Sequence, residues 1–390
     1  MIYLFILIVL IACSIKNDFL EIADTKQSKT YKLICLAFIL LAGLRFYVGS
    51  DTQNYVYDFS IMPKLSDLVS YHNVDSRYQI GWDALVCIIK EIFGNFVFVQ
   101  LVTSLIINTI IFWFISKSTS NVFLALVAYF VLNYFEYNME IMREAIAISI
   151  GLVAIFLYNN GKKKYSLLLF IIAFEFHISA IILLIVPLLN NIKYNLRTIV
   201  VTLITSIIVP LVFSQITGLV NLVNLFAASN PEYLLHYLNQ SFDESRNILY
   251  YLELYVQYLF LPMFCVYLLK DQTKHLGMIL AFVVIRCLSM YTYAFYRFGN
   301  YFEPFYWILI ADAAFVLWRN VKMSKRTVVI LCTLSLLFVY QRTQLKEYSK
   351  YPGVKLYERY IPYEMVNSTD RNYGNNTQSQ YYFRNGRHDF

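Results

Sequence analysis

Apolar runs long enough to enter or cross a lipid bilayer recur along the whole chain, and that recurrence decides what it can fold into. They span about 2–15, 31–46, 97–116, 121–136, 139–158, 164–190, 197–213, 249–269, 275–295, 302–318 and 326–342. A crossing helix needs about 20 apolar residues, fewer where the bilayer thins or a helix end is buried in protein. Composition agrees: 59% of the 390 residues are hydrophobic and 15% charged, whereas a soluble domain carries roughly 25% charged residues. In lipid only helices and closed barrels satisfy every backbone N–H and C=O. The runs lack the two-residue alternation of a barrel strand. The expected fold is therefore all-α, a polytopic membrane helix bundle of about 11–12 spanning segments.

The charges between the runs set an orientation. Lys16, Lys26, Lys29 and Lys32 fall in the first connection, and Lys162, Lys163 and Lys164 follow the run 139–158. Lys270 and Lys274 precede 275–295, while Arg319, Lys322, Lys325 and Arg326 separate the last two runs. Cytoplasmic connections collect Lys and Arg, so all of these are placed in the cytoplasm and the N-terminus outside. The formal net charge of +7 resides in such clusters and does not form a nucleic-acid surface. The run 164–190 is basic at both flanks, with Lys193 and Arg197 after it. One crossing would strand a cluster outside. A broken or re-entrant pair of short helices meeting near Phe176-His177 satisfies both flanks, because protein can bury non-helical backbone at membrane depth.

The outer face then receives the loop 46–95, the turns near 136–140 and 296–301, the segment 214–248 and the tail. Within the loop, Ile80 to Phe93 carries apolar residues at helical spacing and is expected to lie along the interface as an amphipathic helix. Asn221 to Phe226 is expected to do the same. The organisation expected is one membrane-embedded domain, 1–342, and an irregular polar tail, 343–390. Leu10-Ile11-Ala12-Cys13 superficially matches a lipoprotein cleavage site, but Met1-Ile2-Tyr3 offers no basic leader, so a first membrane helix is expected. The six cysteines lie in apolar segments without CxxC spacing, which fits buried small hydrophobes rather than disulfides or a metal site.

Ionisable groups next to or inside apolar runs are costly and therefore become functional candidates. Arg45 ends the second run, just before Gly49 and Asp51. Arg143 sits one turn into the fifth, beside Glu140 and Glu144. Arg286 lies mid-run, Arg297 follows an aromatic cluster, and His177 stands at the proposed hairpin tip. Several guanidinium forks aimed into one outward cavity would suit a diphosphate, because they bind phosphate oxygens bidentately and keep their charge. Each has a plainer alternative. Arg143 pairs with Glu140 or Glu144, Arg45 snorkels to the interface, Arg286 neutralises Asp312 or Glu253, and His177 is a satisfied core residue.

The stretch Arg45-x-x-x-Gly49-x-Asp51-x-x-x-Tyr55 resembles the first signature of EpsG-like proteins, members of the Wzy class of bacterial polysaccharide repeat-unit polymerases. Met142-Arg143-Glu144-Ala145-Ile146-Ala147-Ile148, followed by the lysines and by Ile172-Ala173-Phe174-Glu175-Phe176-His177-Ile178-Ser179-Ala180, resembles the second. Arg297-Phe298-x-x-Tyr301-Phe302 and Ile361-Pro362-Tyr363 resemble two later blocks. The chain departs from the family where relatives carry a glutamate, since Tyr78-Gln79-Ile80-Gly81-Trp82 offers an amide that cannot act as a base.

The resemblance implies transfer of a growing glycan from undecaprenyl diphosphate to a hydroxyl of a new lipid-linked repeat unit, at the outer face of the cell membrane. It implies surface polysaccharide (capsule, exopolysaccharide or O-antigen), no cofactor, and work alongside a flippase and a chain-length regulator. It implies Arg143 and Arg297 as a diphosphate clamp with Arg45 as third donor, and His177 or Asp51 as proton acceptor. Tyr55, Gln79 and Tyr301 become sugar or lipid contacts. Two other functions fit a polytopic chain of this kind: a lipid-linked oligosaccharide flippase, and a membrane O-acyltransferase acting on surface glycan.

Overall fold

A computed structural model describes residues 2–20, 29–46, 48–74, 76–214, 248–290 and 293–322, and positions 326, 328, 330, 333, 347–348, 351–355, 359–360, 363 and 365 beyond them. The chain is a bundle of α-helices. Helix α1, Ile2–Cys13, runs on as a wider π turn over Ser14–Phe19, and α2, Lys29–Gly43, follows. Three short helices fill the next loop: α3 (Thr52–Ile61), α4 (Leu68–Val74) and α5 (Ile80–Phe93). Then come α6 (Phe96–Ser118), α7 (Val122–Leu132), α8 (Met142–Asn159) and α9 (Lys163–Phe176). A 3₁₀ stretch, Ile178–Ile185, leads into α10 (Val186–Leu189) and then α11 (Leu196–Ser214). Helices α12 (Ile248–Tyr255) and α13 (Leu261–Leu269) flank a π turn, and α14 (Leu276–Leu288), α15 (Tyr293–Asn300) and α16 (Glu303–Asn320) follow. Among the described residues, four stretches are long and apolar enough to cross a membrane, namely Ile2–Phe19, Phe96–Ser118, Met142–Asn159 and Tyr251–Gln272. Val122–Leu132, Ile178–Leu189, Leu196–Val212 and Leu276–Leu288 are shorter apolar helices.

The short α7 is the axis of the packing. Every residue from Val122 to Val131 is buried, because α1, α6 and α16 surround it. Helices in lipid gain little from apolar contact alone and lean on polar closures. One such closure links α6 to α7: Tyr129 donates to Asn108 Oδ1 at 3.0 Å, and Asn108 Nδ2 donates to Asn138 Oδ1 at 2.7 Å.

The two ends of the bundle carry different chemistry. At one end lie the lysine-bearing connections, where Lys274 Nζ donates to Ser118 O at 2.8 Å and Asp18 accepts from Leu124 N at 2.6 Å. The other end gathers Arg45, Glu140, Glu144, His177 and Arg297, the candidate residues. The broken pair expected in 164–190 is present. Helix α9 stops at Phe176, and His177 is extended (φ −157°, ψ 128°) before the 3₁₀ stretch begins. The returning arm brings Leu189 back to the lysine-bearing end. There a Cβ on Gly277 would stand 1.9 Å from Leu189 O, so only glycine lets the two strands of chain meet.

Three expectations are corrected. The second helix ends at Gly43, and Arg45 belongs to the loop beyond it. Arg286 does not neutralise Asp312 or Glu253. It pairs with Glu303, while Asp312 lies at the opposite end accepting from Asn121 Nδ2 at 2.8 Å. The tail is not wholly irregular. Glu347–Tyr348 (β1) and Tyr351–Lys355 (β2) pair antiparallel, and Arg45 forms an isolated antiparallel bridge with Met365. The amphipathic helix expected over Ile80 to Phe93 is α5. Segment 214–248 and run 326–342 lie largely outside the described residues.

Candidate active site

The site is assembled on the loop that follows α2. Gly49 has φ +100°, and a Cβ there would lie 2.4 Å from Met139 O. The loop can approach the π turn Glu136–Glu140 this closely only without a side chain. Glu140 then clasps the loop. Its carboxylate accepts from Ser50 N at 3.0 Å, Ser50 Oγ at 2.5 Å and Asp51 N at 3.1 Å. The C-terminal segment closes the same seam, with Gly49 N donating to Arg359 O at 2.9 Å and Arg359 Nη1 lying 3.7 Å from Glu140 Oε1. Tyr3 donates to Tyr360 O at 3.0 Å and Tyr363 to Leu41 O at 3.0 Å.

Arg45 is 1% exposed. Its guanidinium donates to Ala42 O, to Val48 O at 3.2 Å and to Met142 Sδ at 3.1 Å. A cation at the C-terminal end of α2 meets carbonyls left without helical partners and the negative end of the dipole. Its donors serve the loop.

Asp51 opens α3 but makes no capping bond to it. Burial first, and then the Glu140 carboxylate, push the Asp51 carboxyl up to about 7, while Arg297, Arg143 and Arg359 pull in the other direction. All three arginines thus act on one carboxyl.

Arg143, one residue into α8, forms no ion pair among the described residues. Glu140 is engaged with the loop, and Glu144 accepts from Asn300 Nδ2 at 2.9 Å and lies 4.0 Å from His177 Nε2. The Arg143 guanidinium instead sits over the Tyr78 ring, 3.9 Å from its centroid, with the Tyr55 hydroxyl within reach. Its Nε and Nη1 are buried without a hydrogen-bond partner among the described residues.

Arg297, on α15, meets His177 across the bundle, with Nη1 2.8 Å from Nε2. Arginine only donates, so Nε2 is the acceptor and the neutral ring carries its proton on Nδ1. That proton goes to Ser179 Oγ at 2.5 Å, which donates to Tyr301 Oη at 3.2 Å. Arg286 stands behind Asn300, which donates to Glu144. It is 0% exposed and bonded to Tyr296 O at 3.0 Å, Asn300 Oδ1 at 2.8 Å and Glu303. Gln79 stands just before α5, its Oε1 buried and without a partner among the described residues.

Asp51, Tyr55, Arg143, His177, Arg297 and Tyr301 are therefore brought to one end of the bundle, with Gln79 in the adjoining helical loop. Asp58, at helical spacing from Asp51 and Tyr55, joins them together with Tyr78, the neighbour of Gln79 in the quoted stretch, and Arg359, whose polar segment carries no signal in the sequence. Ser179, already present in a quoted motif, links His177 to Tyr301.

A profile of the EpsG family matches residues 29–365. The chain belongs to the EpsG family. No curated protein and no solved structure matches it. Membership gives this EpsG-family chain a polymerase-type role in polysaccharide biosynthesis. The match runs past the last apolar run to residue 365, so it includes the segment of Arg359 and Tyr360 that closes over Glu140.

Proposed function

We propose that this end of the bundle elongates a lipid-linked glycan on the outer face of the cell membrane. An acceptor hydroxyl on a new undecaprenyl-diphosphate-linked repeat unit attacks the anomeric carbon of the growing chain. The anomeric C–O bond breaks, its electron pair leaves with the donor's diphosphate, and the acceptor proton passes to Asp51. Arg143 and Arg297 hold the negative charge that builds on the departing diphosphate, a role that needs preorganised donors in a water-poor site. Asp51 is the better base, because Arg297 occupies the lone pair of His177 Nε2. His177 acts by orienting Arg297, and Arg45 by holding the loop that carries Asp51. Gln79 Oε1 accepts from a sugar hydroxyl, Tyr55 lines the sugar path, and Tyr301 backs Ser179. A flippase delivers the units and a chain-length regulator sets when elongation stops.

The observation that carries the reading is the pair of buried, unpartnered Arg143 nitrogens beside Arg297 and an Asp51 carboxyl raised towards neutrality. Buried guanidinium nitrogens left without an acceptor are costly, which supports an anion that arrives with the substrate. In cells, Arg143→Ala and Arg143→Lys should both leave single repeat units in place of polymer, seen as glycan length on a gel. Full-length polymer from both variants would end the clamp. Loss of a flippase would leave no unit outside, and loss of an acyltransferase would leave length unchanged.

A further inference from the structure

The Arg143 guanidinium is seated on an aromatic face, and that face has a foundation of its own. Tyr78 donates its hydroxyl to Asp58. Asp58 is 6% exposed and accepts from Arg77 Nη2 with both oxygens, at 2.9 and 2.8 Å. Tyr78 N is fixed by Ser76 Oγ at 3.1 Å. Asp51, Tyr55 and Asp58 follow one another at helical spacing at the start of and along α3, so one face carries the proposed base, the neighbour of Arg143 and the anchor of Tyr78. A carboxylate partner would engage the edge of the Arg143 fork, where its N–H groups are. A ring engages only the flat face and leaves the edge open. Arg77 already neutralises Asp58, so that carboxylate does not compete for Arg143.

We propose that Tyr78 is a positioning residue that sets the plane of Arg143 through its ring, keeping the unpartnered N–H edge turned to the diphosphate of a lipid-linked substrate. This rests on the lipid-diphosphate reading above. Arg77 and Asp58 are the buttress that holds the ring.

The test is a double-mutant cycle on the purified full chain in detergent, with farnesyl diphosphate as probe and thermal unfolding as the check on folding. Wild type should bind, and Arg143→Ala should weaken binding by about tenfold or more. Tyr78→Leu should weaken it by about tenfold, as expected for a desolvated cation–π contact. It should add nothing once Arg143 is Ala, because the ring acts through that guanidinium. Tyr78→Trp should restore most of the loss, and Asp58→Asn should give a smaller one. If the Leu variant does not fold, the Asp58→Asn and Tyr78→Phe cycles with Arg143→Ala carry the same comparison. Losses that add to that of Arg143→Ala, or no loss on removing the ring, would overturn the role of Tyr78 while the clamp stands. Binding by Arg143→Ala as tight as wild type, or no binding by wild type, would overturn the diphosphate reading and this role together.

Discussion

Asp51 stands at the point where burial and a neighbouring carboxylate oppose three arginines, and the balance leaves its carboxyl raised to about 7. A base with that value is half protonated near neutrality and gains its working form as pH rises. For polymerisation of a lipid-linked repeat unit, kcat/KM should climb about tenfold per pH unit well below 7 and level above it. Asp51→Asn should remove both the slope and most of the rate. An Asp51→Asn enzyme with the wild-type profile would transfer the base to another group. Singling out these side chains was possible from sequence, because Arg143, Arg297 and His177 interrupt apolar surroundings and charge there is hard to hide. Their partners were not. Arg286 chose Glu303 through the α15–α16 turn, and nothing in the order of residues separates that acid from Asp312. Asp58 stands at helical spacing from Asp51 and Tyr55, but nothing in the order of residues says that it anchors Tyr78 or pairs with Arg77, which come from a polar stretch without a period.

Among the elements, the break at His177 was legible because basic flanks at both ends of one apolar run contradict a single crossing. The full burial of α7 was not, since its composition equals that of lipid-facing helices and only neighbours decide which it is. The Arg45 loop is the least legible element. Its arginine has the look of a ligand donor, yet Ala42 O, Val48 O and Met142 Sδ take its guanidinium. The consequence is measurable. Arg45→Ala leaves those groups unmet beneath the loop and should lower stability by about 1–3 kcal/mol, read as a fall in unfolding temperature in detergent. Binding of farnesyl diphosphate by the fraction that remains folded should stay within about threefold of wild type, well under 1.4 kcal/mol per tenfold. A stable Arg45→Ala protein with binding reduced as far as in Arg143→Ala would return Arg45 to the clamp.

For the whole molecule, orientation decides which compartment the chemistry serves. Lysine-bearing connections and the candidate residues occupy opposite ends of the bundle, and the proposed function takes the positive-inside rule to turn the site outward, where finished repeat units would be joined. Two exposed positions test this in a chain whose six cysteines are replaced. Asn73, on α4 at the site end, and Gly161, in the lysine-rich turn between α8 and α9, are both exposed. Asn73→Cys should react with a membrane-impermeant maleimide in intact cells, and Gly161→Cys only after the cells are opened. The reverse pattern would put Asp51 and its arginines in the cytoplasm, among unflipped lipid-linked precursors. A polymerase of exported units could not then use them, although the same cations would still suit a diphosphate. Orientation and diphosphate binding are thus separable claims, and labelling tests the first without assuming the second.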